Sequence, residues 1–269
     1  MFGRGHKWLN NVWLCKSAIV GCNALALPFA LPFIAWTVVC QCYSAVLRAA
    51  SSAVGGGVVL ASVGMLPCML VYSIGLAGAL YCYKSMLVDG NMDVRKRFGA
   101  GIRKNGLKYL LFAFIIWLSL SLAVITPTLY SYIGAGLLYG AGIAASVIQA
   151  AVLVPAMCLA AVECAYYDET LRDALGNAFR LYFMRTFRTI GVTVLCALPI
   201  AACALTPFIA QLVLWTTYSV LGTAFGIIFW LWYGKRFFDG VIGRSEVVEQ
   251  VALGADDIVA GGAADATAK

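Results

Sequence analysis

Six long apolar runs constrain this chain more than any other feature of its sequence. A transmembrane helix needs about 20 apolar residues in succession. The runs cover residues 17–47, 54–83, 109–125, 133–162, 190–205 and 208–233. Charged residues make up only 12% of the chain, about half the share found in soluble domains, so water cannot be its main solvent. We therefore predict an all-α, polytopic membrane protein with about six transmembrane helices.

The positions of the basic residues predict how these helices cross the membrane. Lysine and arginine are enriched in cytoplasmic loops. With six spans, 18 of the 19 basic residues and every acidic residue fall on one side, and only Arg48 falls on the other. A five-span or seven-span count would destroy this partition. We expect both termini to be cytoplasmic, and we attribute the net charge of +7 to topology rather than to nucleic-acid binding.

The composition changes after residue 244. The segment 245–269 is rich in alanine and glycine and contains five acidic residues. Such a segment cannot bury a hydrophobic core, so we expect it to be largely disordered. The sequence thus predicts a six-helix transmembrane domain over residues 1–244 and an acidic cytoplasmic tail over residues 245–269.

The segment 169–188 has the clearest amphipathic pattern. Apolar residues follow a helical period at Leu171, Leu175, Ala178, Phe179, Tyr182, Phe183 and Phe187. Polar residues occupy the other faces at Arg172, Asp173, Asn177 and Arg180. We expect this helix to lie in the cytoplasmic interface of the membrane.

A weak internal repeat relates this segment to an earlier one. In each copy a basic segment leads into a span that ends at a Thr-Pro pair, at residues 126–127 and 206–207. The two prolines lie 80 residues apart and face the same side of the membrane, which predicts parallel repeats. The earlier interfacial helix, 93–108, is the poorer of the two because Gly99, Gly101 and Gly106 weaken it.

Two small-residue motifs occur within the spans. Gly136 and Gly140 form a GxxxG motif in the fourth run, and Gly222 and Gly226 form another in the sixth. Glycine lets transmembrane helices approach closely. The motifs predict helix packing, either within the chain or between the two copies of a homodimer.

Few polar residues lie at membrane depth, and these are the candidate functional positions. Glu163 lies near the end of the fourth run, where it could pair with Arg180 or Arg185 or take part in proton or cation coupling. Gln149 lies deeper in the same run and is expected to form an interhelical hydrogen bond.

The sequence contains no recognised catalytic motif. It has no GxSxG, HExxH or P-loop sequence, and its single histidine, His6, lies before the first run. Its ten cysteines are scattered through apolar segments and lack the spacing of a zinc site. We expect no enzymatic activity, cofactor or metal; an embedded enzyme would need a hidden pair such as Glu163 with a tyrosine.

Two stretches of the chain carry a recognisable pattern. The first, 66–110, reads LPCMLVYSIGLAGALYCYKSMLVDGNMDVRKRFGAGIRKNGLKYL and includes Phe98 and Asn105. The second, 155–240, contains LRDALGNAFRLYFMRTFRTIGV, with the pair Asn177-Ala178. Both stretches resemble the YesL-like family of bacterial integral membrane proteins of unknown function, in which these four residues match family positions. The chain departs from the family pattern in its first run, bent by Pro28 and Pro32, and in its acidic tail.

The resemblance implies a protein of the bacterial plasma membrane, and it adds Asn105 and Asn177 to the candidate positions. Members of the family often resemble accessories of ABC carbohydrate importers. We therefore expect a non-enzymatic accessory or scaffold of a membrane transport system, whose partners are the lipid bilayer and another membrane protein or a second copy of the chain. The alternative is a small-solute permease with a cavity lined by proline-kinked helices.

Overall fold

Every regular segment in the described part of the chain is an α-helix. The computed structural model describes residues 15–49, 54–87, 93–133, 136–167, 169–204, 213–214, 217 and 224–238. The helices are α1 (Lys16–Ala49), α2 (Val54–Leu87), α3 (Val94–Ile133), α4 (Gly136–Tyr166), α5 (Leu171–Met184), α6 (Thr186–Ala204) and α7 (residues 224–238). The prediction of an all-α protein is confirmed.

Four of these helices contain stretches long and apolar enough to cross a membrane. The stretches are Lys16–Cys40, Gly57–Leu87, Val94–Tyr130 and Tyr139–Tyr166. Helices α5 and α6 are bent by 102° relative to each other and add a fifth span if they are counted together. The described residues thus fit a multi-pass integral membrane protein. Half of the predicted sixth run, 208–233, and the whole tail, 245–269, lie outside the described residues.

Helices α1 and α2 run in opposite directions and contact each other along their length. Near the start of α1, the Tyr83 hydroxyl of α2 donates a hydrogen bond of 2.7 Å to Asn23 Oδ1. Near the other end, Trp36 Nε1 donates to the carbonyl oxygen of Ala61 at 3.0 Å. The start of α1 therefore lies beside the end of α2.

The same up-and-down pattern continues through α3 and α4. Trp117 Nε1 of α3 donates to the Ser62 carbonyl oxygen of α2 at 2.7 Å, and Asn105 near the start of α3 contacts Cys164 near the end of α4. The start of α1, the end of α2, the start of α3 and the end of α4 therefore lie at one end of the bundle, which we call the basic end. Its basic residues are Lys16, Lys84, Arg95, Lys96, Arg97, Arg103, Lys104 and Lys108.

The tightly packed core lies at this basic end. Its most deeply buried side chains include Cys22, Cys82, Tyr83, Met86, Asn105, Tyr109, Met157 and Leu159. Toward the opposite end the helices expose large apolar side chains, among them Val59, Leu60, Val63, Leu120, Val124, Leu129, Val147 and Ile148. These apolar flanks, formed by the exposed side chains just named, must be covered by lipid or by other apolar helices, because contact between apolar surface and water is unfavourable.

The start of α3 differs from the sequence prediction. The expected interfacial helix 93–108 and the following span form one continuous helix of 40 residues, which also continues beyond Pro127 to Ile133. Glycine lowers helix propensity, but tertiary packing overrides that preference here. Gly101 is a position where α3 closely approaches α2: an added Cβ would lie 2.8 Å from the Ala77 carbonyl oxygen and 3.1 Å from Gly78 Cα.

Helix α5 begins at a regular cap and packs on α4 through small side chains. Thr170 is the N-cap, and its side-chain oxygen accepts a hydrogen bond from the Asp173 amide at 3.3 Å. The buried residues of the helix are Ala174, Ala178, Leu181 and Tyr182. The Tyr182 hydroxyl donates to the Ala151 carbonyl oxygen of α4 at 2.9 Å.

The apolar residues of this segment divide between two environments. Phe183 is 67% exposed and Phe187 is 92% exposed, although both were assigned to the face that carries Ala178 and Tyr182. The physical reason is that Ala174 and Ala178 allow close approach to α4, which turns the aromatic side chains near the bend outward.

A second compact unit begins at Leu231, and residues 231–238 are its described part. Within it, the Arg236 guanidinium lies 5.3 Å from the centre of the Trp232 ring, and Tyr233 stacks on Phe237. The cation–π geometry stabilises this turn of α7.

Candidate functional site

Three of the four predicted polar positions meet in one group at the basic end. The group, which we call the polar cluster, consists of Asn105, Lys108, Glu163, Glu169 and Asn177. Its members come from the start of α3, the end of α4, the connection before α5, and α5 itself. The cluster therefore joins α5 to two candidate spans.

Asn105 is fully buried and ties α3 to α4. Its Nδ2 atom donates a hydrogen bond of 3.1 Å to the Cys164 carbonyl oxygen, whereas its Oδ1 atom has no hydrogen-bond partner. One helical turn further, the Tyr109 hydroxyl donates to the Ala161 carbonyl oxygen. Both side chains use backbone acceptors of α4, and such bonds hold transmembrane helices together.

Glu163 is the most deeply buried acidic residue of the cluster, with 3% of its surface exposed. Asn177 and Glu169 lie within hydrogen-bonding reach of its carboxyl group, and its Oε2 atom has no hydrogen-bond partner among the described residues. Arg180, one of the two arginines expected to pair with it, is exposed. The packing of α5 through its alanines directs Asn177 toward Glu163, and the pairing of Glu163 with Arg180 or Arg185 stays a prediction.

Lys108 and Glu169 complete the cluster, and the sequence analysis did not single them out as site residues. Lys108 Nζ donates to the Glu169 carbonyl oxygen at 2.6 Å, and Asn177 Nδ2 donates to Glu169 Oε2 at 3.1 Å. A signal was available for Lys108, because it lies three residues after Asn105 and so shares a helix face with it. Glu169 follows α4 in a connection whose course the sequence does not indicate.

Gln149, the fourth predicted position, is not part of the cluster. It lies on α4, 14 residues before Glu163, which corresponds to a distance of roughly 20 Å along the helix axis. Its side chain is half-buried. The structure therefore separates the two polar residues that the sequence places in the same span.

The described GxxxG glycines do not mediate close packing within the chain. A Cβ added at Gly140 or Gly226 would meet no other atom of the described chain within 4 Å. The structure uses other glycines instead: a Cβ at Gly142 would lie 2.7 Å from the Tyr130 ring. Of the other two glycines in these motifs, Gly222 lies outside the described residues, and Gly136 is the first residue of α4.

The chemistry available to the polar cluster is that of carboxyl, amide and ammonium groups. Within the described residues, no group of three or more histidine, cysteine, aspartate or glutamate side chains could hold a metal ion. The arrangement can hold helices in register, and its unpartnered oxygens can accept a proton or a hydrogen bond from a small polar solute.

Comparison with known proteins adds no assignment: no protein-family model, curated protein or solved structure matches the chain. The fold itself defines the class, a multi-pass helical protein with one tightly packed polar end. The resemblance to the YesL-like family stays a prediction.

Replacing Asn105 with alanine should lower the stability of the protein by roughly 2–3 kcal/mol, because it removes a buried hydrogen bond and leaves a cavity. Unfolding of the purified protein in mixed micelles by increasing SDS would measure this change. The matched control is Gln149→Ala, which removes a half-buried polar side chain outside the cluster. We expect the control to change stability by less than about 1 kcal/mol. Equal losses in the two variants would contradict the role of Asn105 in joining α3 to α4.

Proposed function

We propose that the chain is a non-enzymatic accessory or scaffold of a transport system in the bacterial plasma membrane. In this proposal six helices cross the membrane, and both termini and the basic end lie in the cytoplasm. An ABC carbohydrate importer is the proposed partner system, in line with the resemblance to the YesL-like family. The polar cluster then serves to hold the interfacial helix α5 against the transmembrane bundle.

One observation supports an accessory more than a permease: several interior polar groups bind neighbouring helices. Four side chains each donate a hydrogen bond to a backbone carbonyl oxygen of another helix, namely those of Trp117, Asn105, Tyr109 and Tyr182. The Tyr83 hydroxyl likewise donates to Asn23 of the neighbouring helix. Polar groups that form hydrogen bonds with a neighbouring helix hold the helices of the bundle together. A solute pathway instead needs polar groups that face an open cavity.

The apolar flanks at the opposite end supply the surface for a membrane partner. On α4, Val147 is 59% exposed and Ile148 is 64% exposed. On α3, Leu129, which lies toward the end opposite the basic end, is 54% exposed. Transmembrane helices associate by van der Waals contact between such flanks. The accessory would therefore contact its transporter within the membrane.

Affinity purification in mild detergent tests this proposal. The tagged chain should recover the membrane subunits of a carbohydrate importer in near-constant ratio, and deletion of its gene should lower uptake of the corresponding sugar. The test variant is Val147→Ala with Ile148→Ala, which trims the exposed flank without removing a buried group. We expect this variant to recover at least fivefold less importer. Consistent recovery of the wild-type chain alone would count against the proposal.

A small-solute permease is the second candidate, and it is favoured by one specific observation. Glu163 is almost fully buried near the end of a candidate span, and its Oε2 atom has no hydrogen-bond partner. Ionisable groups in such positions often mark ion or substrate pathways. The carboxyl group could bind a proton or the polar group of a solute.

Uptake into liposomes that contain the purified chain separates the two candidates. A permease should transport a sugar, amino acid or small anion, and Glu163→Gln should lower the rate at least tenfold while the protein stays folded. An accessory should transport none of these solutes alone, and Glu163→Gln should leave its recovery of importer subunits unchanged. Transport by the wild-type chain alone would overturn the accessory proposal.

A further inference from the structure

The bend between α5 and α6 carries a surface that is both cationic and strongly apolar. Arg180 and Arg188 are exposed, and between them lie Phe183, Met184 and Phe187, which are 67%, 65% and 92% exposed. We call these five residues the bend patch. Side chains as large as Phe187 are seldom left so open to water, so the patch needs a partner that accepts both charge and apolar surface.

The geometry of the bend indicates where the patch lies. Helices α5 and α6 form one candidate span only when they are counted together, and they are bent by 102° relative to each other. If α6 crosses the bilayer, α5 runs close to the membrane plane. The exposed face of α5 changes along this path from polar, at Arg172, Asp173 and Gly176, to apolar, at Phe183 and Met184. The C-terminal end of such a helix would lie deeper in the acyl layer than its N-terminal end.

The internal repeat independently supports the position of the bend patch at the edge of the acyl layer. Leu107 on α3 is 84% exposed, and Leu107 and Phe187 are the two most exposed large apolar side chains of the described chain. Each lies 20 residues before the proline of a Thr-Pro pair, Pro127 or Pro207. Twenty helical residues span about 30 Å, which is the thickness of the hydrocarbon core. Leu107 therefore lies where the helix α3 would enter that core, next to the headgroups, and the repeat assigns Phe187 to the corresponding position.

We infer that the bend patch binds the headgroup of an anionic phospholipid, with Arg180 and Arg188 on the phosphate and Phe183, Met184 and Phe187 in the acyl layer. Charge complementarity commits the site to an anionic lipid, because two arginines are exposed there and the one acidic residue on the exposed face of α5, Asp173, lies two turns away from Arg180. Arginine suits this role because its planar guanidinium forms paired hydrogen bonds with phosphate oxygens.

Native mass spectrometry of the full-length protein from mixed micelles of phosphatidylglycerol and phosphatidylcholine tests the inference. The wild-type protein should retain phosphatidylglycerol over phosphatidylcholine by roughly tenfold. Arg180→Gln with Arg188→Gln should reduce this preference to near parity. The matched control, Arg95→Gln with Lys96→Gln, also removes two exposed charges, at the start of α3, and should keep the preference.

Three outcomes would overturn the inference. They are an unchanged preference in the arginine variant, an equal loss in the matched control, and displacement of the bound lipid by inorganic phosphate at the same concentration. A measurement on the wild-type protein is independent of variant folding: the preference should fall severalfold between about 50 and 500 mM salt, because screening weakens charge pairing at a surface. A preference that does not depend on salt would also contradict the site.

Discussion

Replacing Gly101 with alanine should destabilise the bundle by roughly 1–3 kcal/mol, because the added methyl group has no room between α2 and α3. Its Cβ would lie 2.6 Å from Tyr81 Cβ and 2.8 Å from the Ala77 carbonyl oxygen. Neither neighbour is the far end of a flexible side chain, so the helices themselves must move apart. Thermal unfolding and the yield of monodisperse protein in mild detergent would measure the effect.

Gly99 provides the matched control on the same helix. A Cβ at Gly99 would meet no atom of the described chain within 4 Å, so alanine there removes only the flexibility of glycine. We expect Gly99→Ala to stabilise the protein by about 0.5–1 kcal/mol. The two changes should therefore have opposite signs although they lie two residues apart. A neutral or stabilising effect of Gly101→Ala would contradict the close contact between α2 and α3.

Replacing Ala178 with aspartate should detach α5 from α4 and lower stability by roughly 3–5 kcal/mol. Ala178 is fully buried, and a carboxylate placed there would lose its hydration without a compensating cation. Because α5 carries Asn177, the polar cluster should come apart as well. Limited proteolysis of the connection between α5 and α6, together with thermal unfolding, would detect the change.

Gly176→Asp is the control, since it introduces the same charge two residues earlier on an exposed face with no described neighbour within 4 Å. We expect its effect to stay within about 1 kcal/mol. Equal sensitivity of the two positions would show that α5 does not pack through its alanine face.

The apolar runs of the sequence predicted the positions of the helices well, because the hydrophobicity of a segment follows from its sequence alone. The run 54–83 corresponds to α2, Val54–Leu87, and the run 133–162 corresponds to α4, Gly136–Tyr166. The start of α3 was harder to predict. Its glycines and charges indicate a separate, weak interfacial helix, whereas the contact of Gly101 with α2 keeps the chain in one helix. That contact depends on the partner helix, which local propensity does not describe.

The orientation of α5 shows a second limit of sequence analysis. Apolar residues occupy more than one face of the segment, so a period of 3.6 residues permits two overlapping choices of buried face. Bulk favours the face that carries Phe183 and Phe187, but Ala174 and Ala178 allow the closer approach and are the residues that become buried. Only the shape of α4 decides between them.

The candidate site was predicted in part. Glu163 was identified because a carboxyl group is rare in an apolar run, and Asn105 and Asn177 came from the family resemblance. Lys108 and Glu169 were missed because the connection between α4 and α5, which brings them together, has no regular pattern. Gln149 is polar for its run but lies too far along α4 to join them.

Reporter fusions at Arg97 test most directly the proposal that the basic end lies in the cytoplasm of a membrane-spanning protein. Green fluorescent protein joined after Arg97 should fluoresce, and alkaline phosphatase at the same position should be inactive. Fusions after Thr128, at the opposite end of α3, should behave in the reverse way. Active phosphatase after Arg97, or fluorescence at both positions, would contradict the proposed topology.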